Sequence, residues 1–420
     1  MSTIVHRAAC MAALSPLLWM APAAALPSGL TLPETVRMAV AQAPVLEARQ
    51  AQIEAARQDA MRAGSLPDPV LTIGIDNLPV TGAEAFDSGV DFMTMKKIGL
   101  RQEIPARAAR EAQRALAARE VDEAQSLDRA GRLQVARAAA QAWVDAWAAR
   151  RELEVLGKLR EQAQLAAGLV EASMRGGTAS AADALAARAA VVELDNQIEA
   201  GKAAAAAAQA DLARWLGSRA RAVSTETPDF GVLPHARAEL LAGIDRLGPL
   251  LPVAAQVEST AASVDLARAQ KHPDWSIAAS YGQRSGGRSD MLMLEVGIGL
   301  PLFTRNRQDR DVAAREAEYQ AALATREDQR RELAAQVQAG FARWEGLKRQ
   351  VALHEQTLLP LAADRSASAL AAFRGGGAIG PWLEARRDEL AAHLAHVEHL
   401  DALGRAWADL AYLLPIQEQP

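Results

Sequence analysis

Ser65–Val80 reads SLPDPVLTIGIDNLPV, and Lys271–Gln283 reads KHPDWSIAASYGQ. In both places a helical pattern stops at Pro-Asp and gives way to residues that alternate apolar with small or polar. Leu71, Ile73 and Ile75 alternate with Val70, Thr72, Gly74 and Asp76, while Trp275, Ile277, Ala279 and Tyr281 alternate with Ser276, Ala278, Ser280 and Gly282. A period of two predicts strands with one face against an apolar medium.

Each of these strands has a companion. Met95–Glu120, MKKIGLRQEIPARAAREAQRALAARE, and Met293–Gln320, MLEVGIGLPLFTRNRQDRDVAAREAEYQ, both alternate up to an Ile-Pro or Leu-Pro and then become charged, alanine-rich helix. In the second, Leu292, Leu294, Val296, Ile298 and Leu300 share one parity. The segment from Phe92 to Ile104 is less tidy, since Lys96 and Gln102 fall on its apolar row. Ser173–Ala190, SMRGGTASAADALAARAA, matches Ala372–Glu389, AFRGGGAIGPWLEARRDE. Four landmarks in one order, about 200 residues apart, describe a duplication. We divide the chain into residues 26–222, a linker at 223–234, and residues 235–420.

Within each half the pattern is helix, strand, strand, very long helix, turn, helix. The first helix is expected from Pro33 to Ala63, opened by Thr31 with Glu34 three residues on. Arg107–Ser173 is nearly free of Gly and Pro and would be roughly 100 Å long at 1.5 Å per residue. Its counterpart, Asp309–Ala372, has a possible kink at Pro360. The alanine run Ala203–Ala208 fits either plain helix propensity or a close approach of helices.

The 420 residues are 50% hydrophobic but only 4% aromatic, and the net charge is −5. No basic surplus suits a phosphate backbone, so nucleic acid is not an expected partner. Residues 1–25 have the order of a secretory signal, ending at Ala23-Ala24-Ala25. The only cysteine, Cys10, lies within it. Beyond Ala25 no apolar run is long enough for a spanning helix, so any contact with a membrane must be made by a closed barrel. Four strands cannot close one, because about eight is the smallest workable number. Several copies of the chain must contribute. A soluble periplasmic coiled-coil scaffold is the alternative that needs no pore.

The repeated plan, the Leu66-Pro67-Asp68-Pro69 lead into the first strand, and the Gly-x5-Asp-x-Leu-x-Ala pattern at Gly177, Asp183, Leu185 and Ala187 resemble TolC-type outer-membrane efflux proteins. The resemblance implies a mainly α fold with a small transmembrane β-barrel: a homotrimer in the outer membrane with twelve strands and a periplasmic α-helical tunnel. It also implies two partners, a periplasmic adaptor and an inner-membrane RND pump. The stretch DNLPVTGAEAFDSGVDFMTMKKIGLRQEIP, residues 76–105, is most similar to the branch that accompanies heavy-metal RND pumps, the CzcC/CusC-like proteins. Cargo would then be metal cations, with a drug or polypeptide duct as the alternative within the fold.

A duct has no catalytic centre and needs no cofactor. No Gly-x-Ser-x-Gly, phosphate-binding loop or cysteine metal knot occurs. The resemblance makes the turns at Gly176-Gly177 and Gly375-Gly376 the periplasmic tips that touch the adaptor. It places an acidic ring at Asp183, while Pro381 replaces the second acid and Glu384 follows. Arg175, Arg374 and Arg386 could lock a closed state through ion pairs to these acids, and solvated helix charge is the bland alternative. Met93, Met95, Met291 and Met293 fall on the parity opposite the apolar row, where soft thioethers suit Cu(I) or simply fill space. His393, His396 and His399 recur every three residues on one helix, a pattern that can bind Zn(II) or Cu(II) or form a wet surface. Trp143, Trp147 and Trp344 are expected to be packing anchors.

Overall fold

The computed structural model describes residues 29–415, so the signal-peptide assignment for 1–25 and Cys10 lie outside the described residues. Thr31 caps α1 (Leu32–Gln42), accepting from the Glu34 amide while the Glu34 carboxylate accepts from the Thr31 amide. The single helix expected from Pro33 to Ala63 is two. Pro44 forces Ala43 into extended backbone, and α2 (Pro44–Arg62) starts anew.

Two strands follow, β1 (Val70–Asp76) and β2 (Met95–Ile104). Then α3 (Arg107–Arg175) runs for 69 residues, about 100 Å at the standard rise, and turns into α4 (Ala181–Leu216). The second half repeats the plan after a short α5 (Arg237–Ala242): α6 (Leu251–Ala269), β3 (Trp275–Arg284), β4 (Met291–Ile298), α7 (Gln308–Leu353), α8 (Leu359–Arg374) and α9 (Gly380–Ala411). The strands have seven to ten residues, and β1 and β4 are shorter than the alternation suggested.

Pro360 does interrupt the second long helix, but through a π-turn over His354–Leu358 rather than a simple kink. Pro360 has no amide proton for the Gln356 carbonyl and its ring would press on that group. Widening the turn resolves both problems, and the Leu359 amide reaches back to the His354 carbonyl instead.

The core sits where α1, α3, α7 and α9 surround the linker. Trp143 of α3 donates to the Leu30 carbonyl at 2.8 Å, Trp344 of α7 to Phe230 at 2.9 Å, and Trp407 of α9 to Val232 at 2.7 Å. Trp147 stacks on Trp143 with centroids 6.4 Å apart. The tryptophans are thus anchors that also satisfy backbone carbonyls entering the core. The linker is correspondingly fastened: Val223 bridges Leu30 as a short parallel pair, and Phe230 is buried. The Ala203–Ala208 run is largely exposed, and the close helix approach falls instead at Gly201, where a Cβ would lie 2.9 Å from Leu153 Cδ2.

One polar cluster joins α3 to α9. Arg405 Nη2 lies 2.8 Å from Asp145 and its Nε 3.2 Å from Asp401. Burial pushes the Asp145 carboxyl up to about 6; Arg405 opposes this, and Asp401 and Asp211 add to it. A carboxyl raised in the folded state holds its proton better there than in the unfolded chain. Its favourable contribution is therefore complete below the ordinary value of 3.8 and is lost as pH rises through about 6. Asp145→Asn is expected to gain thermal stability relative to the parent as pH rises across that window. A gap between the two melting temperatures that is flat with pH would contradict this.

Candidate functional site

The four strands form one antiparallel sheet in the order β1-β2-β3-β4. Its register aligns the alternation of every strand. Leu71 pairs with Leu100, Leu100 with Ala279, and Ala279 with Leu294; Ile73, Ile98, Tyr281 and Leu292 form the next row. One face is therefore a continuous apolar belt, and it is exposed: Ile73 at 74% and Leu294 at 75%. A belt of this kind on a free surface signals an apolar partner.

The opposite face is small and charged. Gly99, Ser280 and Met293 share a row, as do Gly74, Lys97, Gly282 and Met291. Lys97 pairs with Asp76 at 3.0 Å and Arg101 with Glu295 at 3.4 Å, both across strands. The outer edges of β1 and β4 have no partner strand among the described residues. An amphipathic sheet with two open edges asks for further strands, which copies of itself can supply.

Three of the four methionines lie on this polar face. Met95 folds its sulfur over Gly282, with Sδ 2.6 Å from where a Cβ would be, and Met293 Cε approaches the same point at 3.6 Å. Met291 is the cross-strand partner of Gly282. Met93 does not belong to the set: it precedes β2, in a bend held by its amide donating to Asp91. A glycine in β3 is what lets the thioethers lie there.

At the far end, the two hairpin turns use one hydrogen-bond pattern. Gly177 and Gly376 donate to the Met174 and Phe373 carbonyls, with φ of 77° and 95°. The left-handed backbone is the reason for glycine at these two positions. Val170, Ala184, Ala187, Ile379 and Trp382 bury the two tips against each other, with Phe373 stacked on Trp382.

The tip charges are arranged differently from the expected lock. Asp183 is a capping residue, accepting from the Ser180 amide at 3.0 Å and from its hydroxyl at 2.7 Å. These bonds hold its carboxyl below the usual range. Arg386 pairs with Glu389 and contacts Ser366, while Arg175 donates to the Glu171 carbonyl. Arg365 and Asp388 join α8 to α9, and Arg188 and Glu171 join α4 to α3. Glu384 and Arg374 are exposed and make no ion pair among the described residues. The sequence reading missed the helix-to-helix pairs because partners on neighbouring helices are not legible from spacing along one.

The three-residue histidine series is also redistributed. His354, from the π-turn, lies against His399 with centroids 4.7 Å apart and against His396 at 6.1 Å. His393 instead lines a shallow cleft with Arg151, Glu154 and Glu389. Burial pushes His396 down; Glu355, 3.7 Å away, opposes this, and His354, His393 and His399 add to it. Among the described residues no group of three or more His, Cys, Asp or Glu side chains is placed to hold a metal ion.

A sheet that is apolar outside, polar inside and open at both edges, set on helical hairpins about 100 Å long, defines a subunit of a β-barrel continued by an α-helical tunnel. Residues 249–414 match the family model described as outer membrane efflux protein. The chain superposes on a structure of CusC with a TM-score of 0.79 at 15% identity, covering 91% of this chain and 92% of that one. A membrane protein from Pseudomonas aeruginosa gives 0.77 at 19% identity, covering 91% and 89%. The outer membrane protein VceC from Vibrio cholerae gives 0.72 at 19%, covering 91% and 94%. No curated protein matches the chain in sequence. The resemblance to TolC-type outer-membrane efflux proteins is borne out, and the fold is theirs.

Proposed function

We propose that three copies of this chain form the outer-membrane exit duct of a tripartite efflux system. The observation that carries this reading is the sheet, whose one apolar face is bared while its other face is polar and its two edges are open. A soluble scaffold would gain nothing from such a belt. Three sheets make a barrel of twelve strands, with the apolar rows toward lipid and the Lys97–Asp76 and Arg101–Glu295 pairs toward water. The duct conducts passively, and energy comes from an inner-membrane RND pump through a periplasmic adaptor that meets the tips at Gly176-Gly177 and Gly375-Gly376.

The cargo we propose is heavy-metal cations. Support comes from residues 76–105 and from the thioethers of Met95, Met291 and Met293 on the water-facing side, which suit soft ions in transit. Deleting the gene should sensitise the host to one or more of copper, silver, zinc or cobalt, with drug tolerance unchanged. Sensitisation to drugs alone would favour the second duct reading.

Glu384 is proposed as the cation-selective ring at the tip, since it is exposed and free of ion pairs among the described residues. In planar bilayers, Glu384→Ala should lower cation preference and change single-channel current. Unaltered current and selectivity would remove Glu384 from the gate.

A further inference from the structure

The chain leaving β4 has a composition that the duct reading does not use. The outward row of Leu292, Leu294, Val296 and Ile298 is followed, past the end of β4, by Leu300, Leu302 and Phe303, all exposed. Phe303 is 81% exposed, the most exposed large apolar side chain among the described residues. Trp275, paired with Ile298, sits half-exposed at the same end of the sheet, where the Gly299 amide donates to the Asp274 carbonyl at 2.9 Å.

Directly beyond the apolar residues come Arg305, Arg307 and Arg310, all exposed. None makes an ion pair among the described residues, although acids are close by. Those acids are engaged elsewhere: Asp309 with Lys271 at 2.7 Å, Glu316 with Arg268 at 2.7 Å, and Glu318 with Arg315 at 2.9 Å. Three guanidinium groups without an ion pair among the described residues thus stand next to the end of an apolar belt, Arg310 within the field of Asp309. In the first half Arg107, after Ile104-Pro105, is paired with Glu111, Arg110 is half-buried, and Arg114 donates to the Gly64 carbonyl.

We propose that Leu300–Arg310 is a foot that binds anionic phospholipid at the helical-side surface of the membrane. Arg305, Arg307 and Arg310 take the headgroup phosphates, and Leu302 and Phe303 enter the acyl region. Guanidinium recognises phosphate by paired charge-assisted hydrogen bonds, and Trp275, at the same end of the sheet, has the amphipathic ring that suits the boundary between hydrocarbon and headgroup. The proposal rests on the reading of the sheet as a membrane barrel.

The test uses the full-length mature trimer in nanodiscs of phosphatidylcholine with or without phosphatidylglycerol, with lipid retained per trimer measured by mass spectrometry. The parent should enrich phosphatidylglycerol over phosphatidylcholine, and each Arg→Gln change at 305, 307 or 310 should reduce that enrichment about fivefold. Phe303→Ser should weaken retention of both lipids while leaving the preference between them. Equal enrichment in the triple Arg→Gln variant would overturn the proposal. So would a triple variant that falls to monomers in either lipid, because the arginines would then hold subunits together. Failure of the parent to enter either disc would defeat the barrel reading itself, and the foot with it.

Discussion

Leu294→Arg should abolish the assembled channel, whereas Met293→Arg, one residue away, should leave it standing. Leu294 lies in the middle of β4 on the bared apolar face, cross-strand from Ala279, and Met293 points to the charged face beside Ser280. A guanidinium turned toward the centre of a bilayer costs about 2–4 kcal/mol at each site, and a trimer carries the change three times. The same group on the water-filled side keeps its hydration and joins a face that already holds Lys97 and Arg101. The measurement is the amount of heat-modifiable, detergent-stable oligomer in the outer-membrane fraction. Equal loss in both variants would show that the parity argument is wrong.

The second large effect is expected in the helical body. Trp143→Ala removes a side chain that is 1% exposed, leaves Trp147 without its stacking partner, and takes from the Leu30 carbonyl one of its two donors, the Ser224 amide remaining. Truncating a buried tryptophan costs about 3–5 kcal/mol. Because Leu30 also pairs with Val223, the linker should loosen together with the core. Trp143→Phe retains most of the packing and forfeits one of the two hydrogen bonds to the Leu30 carbonyl, about 0.5–1.5 kcal/mol, since the Ser224 amide still donates to it. Protease cutting within 223–234 should rise in the order parent, Phe, Ala. An Ala variant as resistant as the parent would contradict the clamp.

The strands were the most legible part of the sequence, because the pleat makes alternation a direct image of which face is greasy. Leu292 to Ile298 shows this, and the register confirms it row by row. The tip turns were legible too, since left-handed backbone at Gly177 and Gly376 leaves few residue choices. Helix breaks were harder. Pro44 and Pro360 are both visible in the sequence, yet one divides a helix in two and the other is absorbed by a π-turn. The difference depends on how the neighbouring turn relaxes, which no local pattern encodes.

Side-chain partners across helices were the least legible. His354 lies some forty residues before His396 and His399 in the sequence but packs against both, and His393, in step with them, faces another cleft. Asp183 matched the position of a gating acid, and the local chemistry of Ser180 makes it a helix cap. A match of position does not state which competing bond a carboxylate will make.

The central claim is that the open edges of the sheet meet in a neighbouring subunit. Within one chain β1 and β4 are separated by two strands, about 14 Å at the usual strand spacing, too far for a disulfide. The sequence has one cysteine, Cys10, which is replaced by serine in the parent so that the introduced thiols report alone. Ile73→Cys should be combined in turn with Leu292→Cys, Leu294→Cys and Val296→Cys, oxidised in the membrane and resolved by denaturing electrophoresis without reductant. The account predicts a reductant-sensitive covalent trimer for at least one pair; monomer throughout, from protein recovered in the soluble fraction, would contradict it.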